Sequence, residues 1–313
     1  MPLGPGTSEL PPTIVAPPRV PACTETVARQ FDQRVGRIAA RDLLLREVEQ
    51  RLLSRLEYIR LDPRQILDVG CGLGRSRAGL HSLYPQATWT GIELSAAMAR
   101  VGLAEQQRAL GVSRWWSSAP RWVVADGARL PSADSTVDLL FSNLMLHWHP
   151  TPHLVFPEWK RVLRTNGLLM FSCFGPDTLR ELRAAAADAL PHSRPMPFVD
   201  MHDFGDMLVA SGFATPVMDV ETLTLTFSSP RDLIAEVRSL GANPRSDRWP
   251  ALASGRQARR LLEALAARRD AAGRIPLSFE IAYGHAWKPP PRTSGSSVIT
   301  VDALRQHLSE IRK

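Results

Sequence analysis

The stretch Ile66–Gly74, Ile-Leu-Asp-Val-Gly-Cys-Gly-Leu-Gly, constrains this chain more than any other. A short apolar run of this kind reads as a buried strand of a parallel sheet. It ends in three alternating glycines, Gly70, Gly72 and Gly74, with Asp68 two residues before the first. With no Cβ in the way, the backbone there can turn tightly and approach a ligand closely. Arg75–Tyr84 then opens as a helix whose N-terminus faces that ligand. Strand, glycine turn and helix together make a nucleotide-type site at the carboxyl end of a first strand.

Three later segments extend the pattern. Ala87–Leu94 reads as a second strand ending in an acid, and Glu93 stands 19 residues beyond Gly74. A carboxylate at that place accepts both ribose hydroxyls of a nucleotide. Trp122–Gly127 reads as a third strand ending in Asp126, followed by Leu130-Pro131, and Val137–Asn143 as a fourth with a polar tip. Dinucleotide sites space their glycines as G-x-G-x-x-G, and the alternation here fits that pattern worse. Asp126 also reads as a helix N-cap, and Asn143 equally as a structural side chain.

The order Asp-Val-Gly-Cys-Gly-Leu-Gly, Gly-Ile-Glu-Leu-Ser, Ala-Asp-Gly with Leu-Pro, and Phe-Ser-Asn resembles the class I S-adenosylmethionine-dependent methyltransferases. The resemblance implies an α/β, Rossmann-like class I methyltransferase fold, a doubly wound, mostly parallel seven-stranded sheet with helical insertions. It implies S-adenosyl-L-methionine as cofactor. Carried over by position, Asp68 and the Gly70–Gly74 turn hold the methionine moiety and Glu93 binds the ribose. Asp126 accepts from the adenine amino group, and Asn143 lines the cleft near the reactive methyl.

The rest of the chain fits such a domain. Thr24–Ile59 reads as helical, with Val35, Ile38, Ala39, Leu43, Leu44 and Val48 spaced by three and four, and could lid the cofactor cleft. Helix and strand then alternate as a doubly wound sheet requires. Pro157–Leu163 reads as a helix, Arg164–Gly167 as a turn, Leu168–Cys173 as the fifth strand and Asp177–Leu190 as a helix leaving the core. Asp203–Ser211 reads as a covering helix ended by Gly212. Ala214–Phe227 reads as the last strands, Pro230–Leu240 and Gln257–Arg269 as inserted helices, and Leu277–Trp287 as a terminal strand. The expected division is a disordered proline-rich leader over 1–24, a methyltransferase domain over 25–287 with its core at 60–228 and a helical lid or insertion at 229–275, and a linker and tail over 288–313.

Composition narrows the class further. A hydrophobic content of 44% supports a sizeable core, and no apolar run approaches a membrane span. Cys23, Cys71 and Cys173 give neither a disulfide framework nor zinc spacing, so a reducing cytoplasm is the expected home. The net charge of +7 is compatible with an acidic partner. No basic run is interleaved with aromatics as in nucleic-acid binders, so none is expected as a partner.

No catalytic constellation stands out, and methyl transfer to a carboxylate needs none, because a carboxylate requires no deprotonation. His147 and His149 follow the fourth strand and read either as packing residues or as facing an acceptor. Arg180 and Arg183 read first as solvated side chains and second as ligands of a carboxylate or phosphate. Four further segments resemble the malonyl-acyl-carrier-protein O-methyltransferases of biotin synthesis: Phe31-Asp32, Phe141–Leu144 with His147-Trp148, Arg238–Asn243, and Gly273–Phe279. That resemblance covers roughly residues 24–287. It implies esterification of the free carboxyl of a malonyl thioester on acyl carrier protein, an acidic partner, to prime pimeloyl synthesis. Phe31, His147 and Arg180 are then the candidate substrate-binding residues, although several members have tyrosine where this chain has Phe31.

Cys173–Arg183, Pro197-Phe198 and Ala286–Lys288 also resemble the mitochondrial respiratory complex I assembly factor, which keeps this fold and is associated with arginine hydroxylation. A non-catalytic interaction protein on the methyltransferase fold is the third possibility. The intact glycine turn with Glu93 and Asp126 argues against it.

Overall fold

The computed structural model of the chain describes residues 23–110, 121–190, 195–241, 243, 245 and 255–291. The proline-rich leader through residue 22, Ala242 of the Arg238–Asn243 motif, and the expected linker and tail beyond Pro291 lie outside these residues.

The strands are β1 Gln65–Val69, β2 Thr88–Glu93, β3 Arg121–Val124, β4 Val137–Ser142, β5 Leu163–Phe174, β6 Ala214–Phe227 and β7 Ile275–Trp287. The helices are α1 Thr24–Asp32, α2 Val35–Ala40, α3 Leu43–Leu56, α4 Ser76–Leu83, α5 Ala96–Leu110, α6 Pro152–Val162, α7 Arg180–Ala189, α8 Met201–Ala210, α9 Pro230–Ser239 and α10 Gly255–Ala266. One seven-stranded sheet has the order β3-β2-β1-β4-β5-β7-β6. The first five strands run parallel, and β7 lies antiparallel between β5 and β6. From β1 the chain winds outward to β2 and β3, then crosses back to β4 and β5. The topological switch point therefore falls between β1 and β4, where such sheets open a crevice at the strand ends.

Both sheet faces are covered, so the central strands are apolar on both sides. Leu139, Phe141, Leu168 and Met170 pack on one face against α3, α4, α7, α9 and α10. Leu140, Leu169 and Phe171 pack on the other against α6 and α8. This is the period-two alternation of a strand.

Four expectations change. The helical stretch Thr24–Ile59 is three helices, because its apolar residues serve two surfaces. Ile38 packs beside Met98 of α5, whereas Leu44, Val48, Leu52 and Leu56 pack against the sheet. The helix expected at Pro157–Leu163 begins at Pro152, a favourable first-turn proline, and carries Pro157 inside. Its buried stripe of Val155, Phe156, Trp159 and Val162 outweighs the one backbone bond that Pro157 cannot make.

The expected turn Arg164–Gly167 is a bulge within β5, since Val137 pairs with Leu163 and Leu139 with Leu168. The Asp138 carboxylate stabilises it, accepting from the Arg164 guanidinium at 2.7 Å and from the Arg64 and Gln65 amides at 2.9 and 2.8 Å. Ala214–Phe227 is one strand of 14 residues. Because β7 inserts between β5 and β6, the segment 60–228 contains six of the seven strands, and the sheet closes only after α9 and α10. No helix among the described residues is long and apolar enough to cross a membrane.

Candidate active site

The glycine turn follows β1 at the switch point. Gly70 and Cys71 both donate to the Ile92 carbonyl, at 2.8 and 3.0 Å, which ties the turn to β2. Gly70 and Gly72 have φ of 74° and 56°, a region that side chains with a Cβ resist. Their surroundings differ. A Cβ on Gly70 would collide with Met145, whereas one on Gly72 would meet only Met98 Cε at 3.5 Å. Gly72 therefore faces open space. Gly74, with φ 68°, packs beneath the Trp122 ring.

Glu93, at the tip of β2, is buried. Its Oε2 accepts the Gly72 amide and its Oε1 the Ser95 amide, both at 2.8 Å. Each oxygen keeps a lone pair, enough for two hydroxyl donors. Burial raises its pKa, opposed by those backbone donors. Asp68 is 1% exposed and accepts from Ser76 Oγ. Burial pushes its pKa up to about 7.

Asp126 lies two residues past the end of β3, in the loop before β4. His149 Nδ1 accepts from the Thr151 amide at 3.1 Å, which leaves the proton on Nε2, 3.3 Å from Asp126 Oδ1. That hydrogen bond lowers the Asp126 pKa. The same Oδ1 accepts the Ala128 amide at 2.9 Å, so Oδ2 is left to face the cleft. Helix α6 secures the loop: Trp159 donates to the Gly127 carbonyl at 3.0 Å, and Glu158 accepts the Leu130 amide at 2.6 Å.

A cleft of about 120 Å³ joins Gly70, Gly72, Glu93, Asp126 and Asn143. Helix α1 roofs it with Val27 and Phe31. Asp32 fastens that roof, accepting from Ser95 Oγ at 2.5 Å and the Ala97 amide at 3.1 Å where α5 begins. Phe31 meets the Trp148 ring edge-on at 5.2 Å. Asn143 lines the cleft, but its amide is also a tie: Nδ2 donates to the Leu45 carbonyl at 3.1 Å and Oδ1 accepts from Ser172 at 2.7 Å.

A smaller contiguous cavity of about 80 Å³ holds Glu49 of α3 beside Asp68 and Gly72. Glu49 has no hydrogen bond or ion pair among the described residues. Burial first, and the neighbouring Asp68 second, push its pKa up to about 8. These groups suit an adenosyl amino acid. The two cavities present the carboxylates of Glu93, Asp126, Asp68 and Glu49 as acceptors, with open space at Gly72 between them.

A second, larger cavity of about 370 Å³ lies beyond Trp148 and Leu240, which border both spaces. It sits among α7, α9 and α10, lined by Phe174, Leu182, Phe198 and Leu261, with Arg183, Arg238 and His147 as its main polar groups. No carboxylate lines it among the described residues. Arg238 has no partner among them either. Arg183 donates to the Pro176 carbonyl. Arg180, one turn earlier, is turned away from this cavity and pairs with Glu181 at 3.1 Å.

Sequence reasoning missed Glu49, Asp32 and the pairing of His149 with Asp126. Glu49 sits in an ordinary amphipathic helix, and the other contacts join segments distant in sequence. Only Asp32, beside the quoted Phe31, had any local signal.

Fold and cleft define a class I methyltransferase. The family model described as a methyltransferase domain matches residues 67–171. The YcgJ protein of Bacillus subtilis, a solved structure, shares the fold with TM-score 0.55 at 14% identity, over 78% of this chain and 99% of that one. Two relatives are closer in sequence. The malonyl-[acyl-carrier protein] O-methyltransferase of Laribacter hongkongensis is 40% identical over 85% of this chain and 90% of its own. That of Nitrosospira multiformis is 38% identical over 93% and 94%. The chain belongs to the malonyl-[acyl-carrier protein] O-methyltransferase family. Of the two resemblances read from the sequence, this is the one the relatives bear.

Proposed function

We propose that this enzyme transfers the methyl group of S-adenosylmethionine to the free carboxylate of a malonyl thioester on acyl carrier protein. The product is the methyl ester that primes pimeloyl synthesis for biotin. One observation carries the reading: the cofactor-type cleft meets, at Trp148 and Leu240, a largely apolar cavity that offers two arginines and, among the described residues, no carboxylate. Such a cavity suits an acyl chain with an anionic end.

S-adenosylmethionine, when bound, supplies an electrophilic methyl on a sulfonium. Glu93, Asp126, Asp68 and the turn at Gly70 and Gly72 are the residues we assign to hold it. Arg238 and Arg183 attract the acceptor carboxylate, Trp148 and Leu240 shape the junction, and α1 shields it from water. A carboxylate attacks without losing a proton, so no general base is needed. Catalysis then rests on proximity and a dry, shaped pocket.

The test is to incubate the purified protein with S-adenosylmethionine and malonyl-acyl carrier protein and weigh the carrier by mass spectrometry. A one-methyl gain that a Gly72→Val variant abolishes supports the reading. No gain while S-adenosylmethionine still binds overturns it.

A further inference from the structure

His147 occupies a single 3₁₀ turn, Leu146–Trp148, just after β4. Its side chain is 4% exposed, and the ring is gripped by Phe174, Trp148 and Phe198, with centroids at 4.4, 5.0 and 5.9 Å. The Phe174 backbone N–H points at Nδ1 from 3.4 Å. Nδ1 is therefore the acceptor and the ring proton sits on Nε2. That Nε2–H is buried and has no partner among the described residues. Among the described residues it is the one unpaired buried side-chain atom whose residue lines either main cavity, and that residue lines the larger one. A buried donor without an acceptor is unfavourable, and a substrate oxygen that reaches Nε2, once the surrounding rings give way, satisfies it.

We propose that His147 Nε2–H donates a hydrogen bond to the thioester carbonyl oxygen of the acyl substrate, and so sets which end of the acyl group reaches the methyl donor. This rests on the carboxyl methyltransferase reading. The carboxylate must lie at the Trp148–Leu240 junction, because only there do the two cavities meet. His147 borders the larger cavity and not the cofactor-type cleft, so a substrate whose carboxylate sits at the junction carries its thioester carbonyl into the cavity that His147 lines. Burial holds the imidazole neutral, with its pKa pushed down to about 3. A neutral donor matches a neutral carbonyl, whereas the carboxylate has the arginines. The single methylene between the carboxylate carbon and the thioester carbonyl carbon then separates malonyl thioesters from longer diacids.

The experiment pairs enzyme variants with a substrate change. His147→Phe removes the donor and keeps a flat ring; His147→Gln keeps an N–H donor. Malonyl-pantetheine is compared with the thioether in which the carbonyl is replaced by CH2. Expected are a 10- to 100-fold fall in kcat/KM for His147→Phe on the thioester, substantial recovery in His147→Gln, and unchanged S-adenosylmethionine affinity by calorimetry. On the thioether, wild type loses a similar factor and His147→Phe loses no more. Wild-type kinetics in His147→Phe, or equal loss on both substrates, overturns the proposal. If His147→Phe fails to fold, wild type and His147→Gln on the two substrates decide the matter: an undiminished rate on the thioether overturns it. If wild type methylates no malonyl thioester at all, the underlying functional reading has failed instead.

Discussion

Replacing Glu93 by glutamine tests the cofactor cleft at its most connected point. The carboxylate accepts the Gly72 and Ser95 amides at 2.8 Å each, one on each oxygen. Glutamine has a single acceptor oxygen, so its NH2 must face one of those two N–H donors. One charge-assisted bond is lost, worth about 1.5–3 kcal/mol, and the Gly72 turn or the start of α5 loses its anchor. The ribose hydroxyls lose an ionised acceptor as well. Stability changes less than binding, because the buried charge is itself unfavourable, as its raised pKa records. Removing that charge offsets part of the lost bond. With about 1.4 kcal/mol per factor of ten, S-adenosylmethionine affinity should fall about 10- to 100-fold while the melting temperature drops only a few degrees. Isothermal calorimetry with S-adenosylmethionine and with S-adenosylhomocysteine, beside a thermal melt, reads both quantities. Wild-type affinity in a folded Glu93→Gln protein would refute the assignment of Glu93 to the ribose.

Gly72→Val should abolish cofactor binding, because valine resists φ near 56° and its side chain enters the open space of the turn. Normal binding in calorimetry would mean that the turn does not face the ligand. Glu49 and Asp68 have pKa values raised above their ordinary 4.5 and 3.8, to about 8 and about 7. The free protein therefore loses stability from these acids as pH rises from about 4 to about 8, and a bound ammonium reverses that trend by favouring their ionised forms. Binding at pH 7 should release protons, fewer in Glu49→Gln; calorimetry in buffers of different ionisation enthalpy counts them, and equal counts would remove Glu49 from the site. If an acidic carrier is the partner of this +7 chain, added salt should slow methylation of malonyl-carrier more than that of malonyl-CoA. Equal salt sensitivity would argue against carrier docking.

Local chemistry made much of this legible. The apolar run before Gly70 and the strand-end acids Asp68 and Glu93 follow from rules that act within a few residues. So does the alternation along β4 and β5. The errors came where packing between segments overrides such rules. The stretch Thr24–Ile59 bends because its apolar residues answer to α5 and to the sheet at once. Arg164–Gly167 joins β5 because Asp138, on the neighbouring strand, stabilises a bulge there.

By itself the sequence determined the fold class and the placing of the glycine turn and strand-end carboxylates at one cleft, since these groups lie next to the backbone that positions them. The tertiary structure alone decided what meets them. It brought Glu49 of α3 to Asp68 and locked Asp126 with His149. It also formed the arginine-bearing cavity between α7, α9 and α10, and left His147 Nε2 buried beside it without a partner among the described residues. Each of these depends on which residues of separate elements end up touching, and no spacing along the chain encodes that.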